Sequence, residues 1–379
     1  MLALKGCINM LDNNSANEKL SIAPSVFAVK DTYHIMVSIR YPSLVFVRIG
    51  DEEYYDESNG IMCSQSLVHR VIVPMEELDK AGKYNICVRP IIERKPYFSE
   101  TEPLREYEYN FYPVPDGEIR AYHISDAHNL IDGPLKAAKG FGDIDFLILN
   151  GDVINHSGDP SKFENIYIIC SELMGGTKPV IFSRGNHDMR GNYAEKFAEY
   201  TPNSHGNTYY TFRLGRLWGV VLDCGEDKPD DHPEYGFTVA CHRFRTRQTE
   251  FLKQVICEKE KEYEADGVDT RLVICHNPFT RVIDPPFNIE QGVYSQWAEL
   301  LREYIKPDLM ICGHFHDTAV WEPGGEQDSL GQPCNIVIGS DIDFDSGDFT
   351  GCGYIFGKEK TEIIFTDSKG NIGSPVRVI

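Results

Sequence analysis

The sequence predicts an α/β protein preceded by a small antiparallel β-sandwich. Three observations predict it. From Ser25 to Asn110 apolar and polar residues alternate in short runs parted by turn signals, the period of half-buried antiparallel strands. After Gly117 apolar strand-like runs alternate with segments of helical period, the rhythm of an α/β unit. Asp, Asn and His residues stand just past the carboxyl ends of several of those later runs, the end of an α/β sheet where crevices form.

In the first half the strands are TYHIMVSIRY, SLVFVRIG, HRVIVPM and KYNICVRPII. No cluster of His, Asp or Asn with ligand-like spacing falls among them, so this half reads as a support module without chemistry. Pro113, Pro115, Asp116 and Gly117 mark a linker and divide the chain into residues 1–115 and residues 116–379. Beyond it the strands are IRAYHIS, DFLILN, VIFSRG, the pair YYTFRL and LWGVVLD, RLVICH and DLMICG. The helices are FENIYIICSELM, RQTEFLKQVICEKEKEY and YSQWAELLREYI. Past Val320 the helical period stops, and NIVIG, GYIFG and TEIIFTD read as a closing set of antiparallel strands.

A chain of 379 residues exceeds the usual size of one compact domain, and each half is long enough for its own core. Apolar residues at 41% and charged residues at 25% support a globular chain. The balance of 37 basic against 58 acidic residues gives a formal charge of -21, which repels nucleic acid polymers and anionic lipid surfaces. A small phosphorylated substrate stays open, because bound cations would reverse the local potential. No apolar run approaches the roughly 20 residues that span a bilayer, and the amino-terminal residues do not resemble a secretory signal. The 11 cysteines form no CxxC pair, which suits reduced thiols and predicts a cytoplasmic protein. Cys275 and Cys312, inside apolar runs, read as small core residues.

The chemistry lies at the strand ends. Asp126 and His128 follow the first α/β strand, Asp152 the second, Asn186 and His187 the third, His276 the RLVIC strand, and His314 and His316 the DLMIC strand. Carboxylate, amide and imidazole are donors for first-row divalent metals, and a carboxylate can bridge two of them. The set is too large for one ion. Shared between two ions through Asp152, it leaves positions open for water and phosphate oxygens, as in two-metal sites that clamp an in-line displacement at phosphorus.

The order DAH, GD, GNHD, a lone His and then GHFH resembles the calcineurin-like metallophosphoesterase superfamily, from about Ile119 to the carboxyl terminus. The resemblance implies a four-layer αββα sandwich. It implies Asp126, His128, Asp152 and His316 on one metal, and Asp152, Asn186, His276 and His314 on the other. His187 would then be a hydrogen-bond or proton donor to the substrate rather than a ligand. A β-sandwich ahead of this domain is similar to the layout of purple acid phosphatases and implies a fibronectin III-like fold for the first half. The metal-bound tyrosine of that group is replaced here, since GDVINH places Asn155 near that point, and His128 stands where that group commonly lacks a histidine ligand. A pair of Mn, Fe or Zn ions is therefore expected rather than a purple ferric centre. The RGNH string is shared with protein Ser/Thr phosphatases, but the Asp-Arg pair those carry after GD is absent.

The reading this supports is a dinuclear metal-dependent phosphoesterase, a hydrolase of phosphomonoesters or phosphodiesters acting through a metal-bound hydroxide, with Asp152 and His187 in catalytic roles. A nucleotide or nucleoside diphosphate hydrolase on the same centre, and a catalytically silent metal-binding docking protein, are the alternatives. Asn129, Asn155 and His156 either face substrate or make local hydrogen bonds. The loop from Gly225 to Arg247 is long enough to form a substrate rim; within it Arg243, Arg245 and Arg247 read as helix-start residues on a solvated face, with contact to a phosphorylated ligand as the alternative. Asp341, Asp343, Asp345 and Asp348 read as a solvated acidic turn.

Overall fold

A computed structural model describes residues 20–58 and 60–378. The expectation of no secretory signal rests on the amino-terminal stretch, whose residues 1–19 lie outside the described residues. No helix among the described residues is long and apolar enough to cross a membrane.

The first half contributes β1 (Ser25–Val29), β2 (Thr32–Ser38), β3 (Ser43–Ile49), β4 (Glu52–Tyr55), β5 (Val68–Pro74), α1 (Met75–Ala81), β6 (Lys83–Arg94), β7 (Ser99–Thr101) and β8 (Arg105–Asn110). Strand β2 pairs antiparallel with β1 and β5, and β3, β4, β6, β7 and β8 make a separate 5-stranded antiparallel sheet. The alternation seen in the sequence is the alternation of faces. Along β5, His69, Val71 and Val73 are buried while Ile72 is exposed. Val71 and Val73 share one core with Val45, Val47, Ile86 and Val88 of the other sheet, which makes a sandwich.

The second half contributes β9 (Ile119–Ile124), α2 (Asp132–Phe141), β10 (Phe146–Asn150), α3 (Glu164–Met174), β11 (Pro179–Ser183), β12 (Tyr210–Leu214), β13 (Leu217–Leu222), α4 (Cys241–Cys257), β14 (Thr270–Cys275), α5 (Gln291–Leu300), β15 (Leu309–Cys312), β16 (Asp317–Trp321), β17 (Asn335–Ile342), β18 (Phe349–Phe356), β19 (Thr361–Asp367) and β20 (Val376–Val378). Strands β9, β10 and β11 run parallel, with β18 antiparallel on the far side of β9. Strands β13, β14, β15 and β17 make a second parallel set. The inner faces meet in one apolar core, where Ala121, Phe146 and Ile148 join Leu272, Ile274 and Ile311. Helices α2 and α3 cover the outer face of the first set through Ala138, Ile166 and Ile169. Helices α4 and α5 cover the second through Leu252, Val255, Trp297 and Ala298. The layers therefore run helix, sheet, sheet, helix.

Two expectations change. The NIVIG run is not purely antiparallel: β17 lies parallel to β15 at one end and antiparallel to β16 and β18, so it carries the chain from one sheet to the other. The helical run read through Tyr263 ends at Cys257, because the charged EKEKEY stretch offers too little apolar surface to continue the packed stripe.

The two halves are stitched together. β1 pairs parallel with β11, Val26 opposite Pro179 and Phe27 opposite Val180. The Tyr84 hydroxyl donates to the Gly176 carbonyl at 2.7 Å, and Arg70 Nη1 donates to the Ala198 carbonyl at 2.8 Å. Residues 1–115 as a unit separate from residues 116–379 is a proposal about folding, and one continuous sheet crosses that boundary.

Candidate metal centre

The strand-end turns have an unusual backbone. Asp126, His128, Asn129, Asp152, His314 and His316 have φ of 54°, 43°, 74°, 52°, 73° and 48°, the left-handed region that non-glycine residues seldom occupy. Each such residue costs on the order of 1–3 kcal/mol and persists only where its surroundings fix it. Hydrogen bonds between neighbouring turns do so here. The Asp126 N–H donates to the Gly151 carbonyl at 3.1 Å, the His128 N–H to the Asp152 carbonyl at 2.9 Å, and the His314 N–H to the Asp126 carboxylate at 2.9 Å. The glycines of the motifs are required by crowding: a Cβ on Gly185 would lie 2.1 Å from Asp152 Oδ1, and one on Gly313 would lie 2.5 Å from Asp126 Oδ2.

These turns bring the sequence-predicted side chains to one place. Ligand atoms of Asp126, His128 and His316 lie within 4.8 Å of one another, as do those of Asp126, Asp152 and His276, and those of His128, Asp152 and His187. His276 Nε2 is 3.2 Å from Asp152 Oδ2 and 3.6 Å from Asp126 Oδ1. His314 Nδ1 is 3.1 Å from Asn186 Oδ1, and its ring centroid is 5.4 Å from that of His276. Strands β9, β10 and β11 of one sheet and β14 and β15 of the other each deliver a share, so the centre sits where the two sheets open together.

The donor set fits divalent cations. His276 Nδ1 donates to the Asn150 carbonyl at 2.7 Å, while its buried Nε2 has no hydrogen-bond partner and points at the carboxylates. A second-layer bond of this kind selects the tautomer that presents a lone pair to a metal. His128 Nε2 and His316 Nε2 face each other at 3.1 Å. Two imidazole lone pairs repel at that distance unless one carries a proton, whereas one cation accepts both.

The electrostatics show the same deficit of positive charge. Burial is the largest influence and raises the carboxyls of Asp126 and Asp152, but the surrounding histidines together, His276 first among them, hold both below the usual carboxylate range. Burial lowers His276, yet Asp152 and Asp126 lift it to about 10, so a proton on Nε2 takes the place between the carboxylates that a metal ligated by that nitrogen would hold. His128 and His314 are pushed down to about 4, chiefly by burial, and are neutral at physiological pH, as ligands must be.

The remaining expected residues divide. His187 Nδ1 donates to the Asn155 carbonyl at 2.9 Å, and its backbone N–H donates to Asp152 Oδ1 at 2.9 Å. Asn155 therefore meets the site through its main chain. His156 is exposed, and its Nδ1 accepts the Gly158 N–H at 3.0 Å. Asn129 Oδ1 accepts from the Asn165 amide at 3.2 Å. Asp345 and Ser346 donate backbone N–H groups to Asp343, which matches a solvated turn.

Sequence reasoning missed three residues. Asp188, buried, accepts from the N–H groups of Gly185 at 2.8 Å and Asp152 at 3.2 Å, which ties the GD and GNHD turns together. Burial, then the Asp152 charge, pushes its carboxyl up to about 8. Arg190 Nη1 lies 3.4 Å from His187 Nε2, and its guanidinium is clamped by buried Glu226 through bonds of 3.1 and 2.9 Å. Arg245, expected on a solvated face, is 1% exposed and donates to the carbonyls of Cys224 and Glu226 and to Glu290. Its side chain turns inward and supplies donors to carbonyls of the buried residues Cys224 and Glu226. The loop expected from Gly225 to Arg247 ends at Ala240, where α4 begins, and with the first turns of that helix it braces Glu226 and Arg190. Beside it a cavity of about 540 Å³ opens, lined by Arg184, Arg190, Glu226, Tyr235 and Phe244 among others.

A family model described as calcineurin-like phosphoesterase matches residues 119–318. A probable cyclic nucleotide phosphodiesterase of Rhodopseudomonas palustris is 25% identical over 208 residues, covering 53% of this chain and 68% of its own. A purple acid phosphatase from yellow lupin (Lupinus luteus) seeds shares the fold with a TM-score of 0.58 at 13% identity, covering 93% of this chain and 73% of its own.

Proposed function

The chain belongs to the calcineurin-like phosphoesterase family and is a hydrolase of phosphoric esters, and from that premise we propose that it hydrolyses small phosphodiesters or phosphomonoesters at a pair of Mn, Fe or Zn ions. In this reading Asp126, His128, Asp152 and His316 hold one ion, and Asp152, Asn186, His276 and His314 hold the other. The observation that carries it is the placement of Asp152, whose carboxylate shares one ligand cluster with Asp126 and His276 and another with His128 and His187. When bound, the cations withdraw charge from phosphoryl oxygens and acidify a water molecule.

The protein's own groups then orient the ester. With Nδ1 committed to the Asn155 carbonyl, His187 presents Nε2 to the cleft, where it takes up a proton or passes one to the leaving oxygen. Arg190 keeps a guanidinium beside that atom; its Nε and Nη2 are held by Glu226, which leaves Nη1 to meet a free oxygen of the phosphate. It supplies the cationic grip that the missing Asp-Arg pair would give in protein phosphatases. The cavity beside Arg190 is large enough for an ester group of nucleoside size, and Tyr235 and Phe244 on its wall suit a planar ring. This favours nucleotide esters as the second reading.

The test is a substrate panel assayed with added Mn: bis(p-nitrophenyl) phosphate, p-nitrophenyl phosphate, a cyclic nucleotide and nucleoside diphosphates. Turnover of the esters, loss of it on chelation, and loss of metal and activity together in Asp152→Asn are the expected results. Full activity after chelation, or full metal content in Asp152→Asn, would refute the assignment.

A further inference from the structure

The amino-terminal half, read as lacking chemistry, holds a ligand cluster of its own. The segment that follows β4 returns to β5 by way of Cys63, whose N–H donates to the Asp56 carbonyl at 2.9 Å and so sets the thiol beside that residue. His69, on the buried face of β5, completes the group. Ligand atoms of Asp56, Cys63 and His69 lie within 4.8 Å of one another. Asp56 is 3% and His69 0% exposed, and Cys63 is partly exposed.

Neither ring nitrogen of His69 has a hydrogen-bond partner of good geometry, and Asp56 Oδ2 faces Nδ1 at 3.6 Å, a loose ion-pair contact. A buried histidine with both nitrogens orphaned is costly unless something else engages one of them. Asp56 is held toward it: Oδ1 accepts from the Ser58 N–H at 3.2 Å and from the Ser58 hydroxyl, and Oδ2 accepts from the Arg70 N–H at 3.2 Å. An oriented carboxylate is the usual support of a metal ligand.

We propose that Asp56, Cys63 and His69 form a metal site of zinc class, three protein ligands with a fourth position open to water, that ties Cys63, between β4 and β5, to the sandwich. Thiolate, imidazole and carboxylate together select zinc over magnesium or calcium, whose ligands are oxygen alone. The site stands apart from the catalytic reading, which uses none of its residues.

The experiment is titration of the full-length protein with Co²⁺ alone, followed by near-ultraviolet and visible absorption. The catalytic cluster contains no cysteine, so a thiolate-to-cobalt charge-transfer band reports on a cysteine site. The band should saturate with about one Co²⁺ bound beyond those taken up by the catalytic pair. It should persist in Asp152→Asn, disappear in Cys63→Ser and His69→Ala, and be bleached by zinc. Cys63→Ser alters a partly exposed sulfur and decides the matter if His69→Ala fails to fold. Absence of the band in the wild-type protein, or its survival in Cys63→Ser, overturns the proposal.

Discussion

Arg190 reaches the cleft because Glu226, itself almost wholly buried, holds its guanidinium by three bonds, and because Arg245 in turn holds the carbonyl of Glu226. Arg190→Lys keeps a positive charge and loses the fork. It should lower kcat/KM on a phosphodiester by about tenfold or more, the worth of a charge-assisted pair, with metal content unchanged; wild-type kinetics would show that the arginine serves only the loop. His34 gives a second prediction. Burial first, then Arg70 and His205, push it down to about 3, whereas an unfolded histidine titrates near about 6.5. The folded chain then binds fewer protons, so the stability His34 contributes is complete above about pH 6.5 and is lost as the pH falls toward about 3, at about 1.4 kcal/mol per pH unit. His34→Leu should show a shallower drop in urea midpoint between about pH 7 and about pH 5, and an equal drop in both proteins would contradict this. The candidate ligands were legible in the sequence because each sits in a short motif at a strand end. Asp188, Arg190 and Arg245 were not, since nothing in local spacing shows which carbonyl or carboxylate a folded loop will bring to them.

At the scale of elements, the turns after β9, β10 and β15 carry the positive φ values and the turn after β11 carries the glycine that makes room. Gly185→Ala places a methyl group against the Asp152 carboxylate, with only backbone and buried carboxylate as neighbours to give way. The variant should fold with an unchanged far-ultraviolet circular dichroism spectrum but lose bound metal and activity; retention of both would mean that the GD and GNHD turns are less tightly joined than the structure shows. Hydrophobic period revealed most strands and the helices α3, α4 and α5. Short elements such as α1 and β16 escaped because a few residues carry no measurable period. The parallel partner of β17 escaped for another reason: an apolar run states that a strand is buried, not which neighbour it chooses.

At the scale of the whole molecule, the parallel pairing of β1 with β11 makes the amino-terminal half part of the catalytic fold's sheet. Without it, the edge of fully buried β11 would face solvent, an invitation to aggregation. A chain beginning at Asp116 should therefore elute as aggregates on size exclusion, and a stable, monodisperse fragment would contradict the coupling. That coupling was hidden from sequence because the SVFAV run of β1 lies far along the chain from its partner. The formal charge of -21 and the buried acidic pair at the centre make a cation-filled site the natural state for binding a phosphate. Anomalous diffraction from crystals of the full-length protein grown with Mn²⁺ tests this most directly. The account predicts two peaks about 3.5–4 Å apart, flanking the carboxylate of Asp152, one beside His128 and His316 and the other beside Asn186, His276 and His314; a single peak, or none within reach of Asp152, would contradict it.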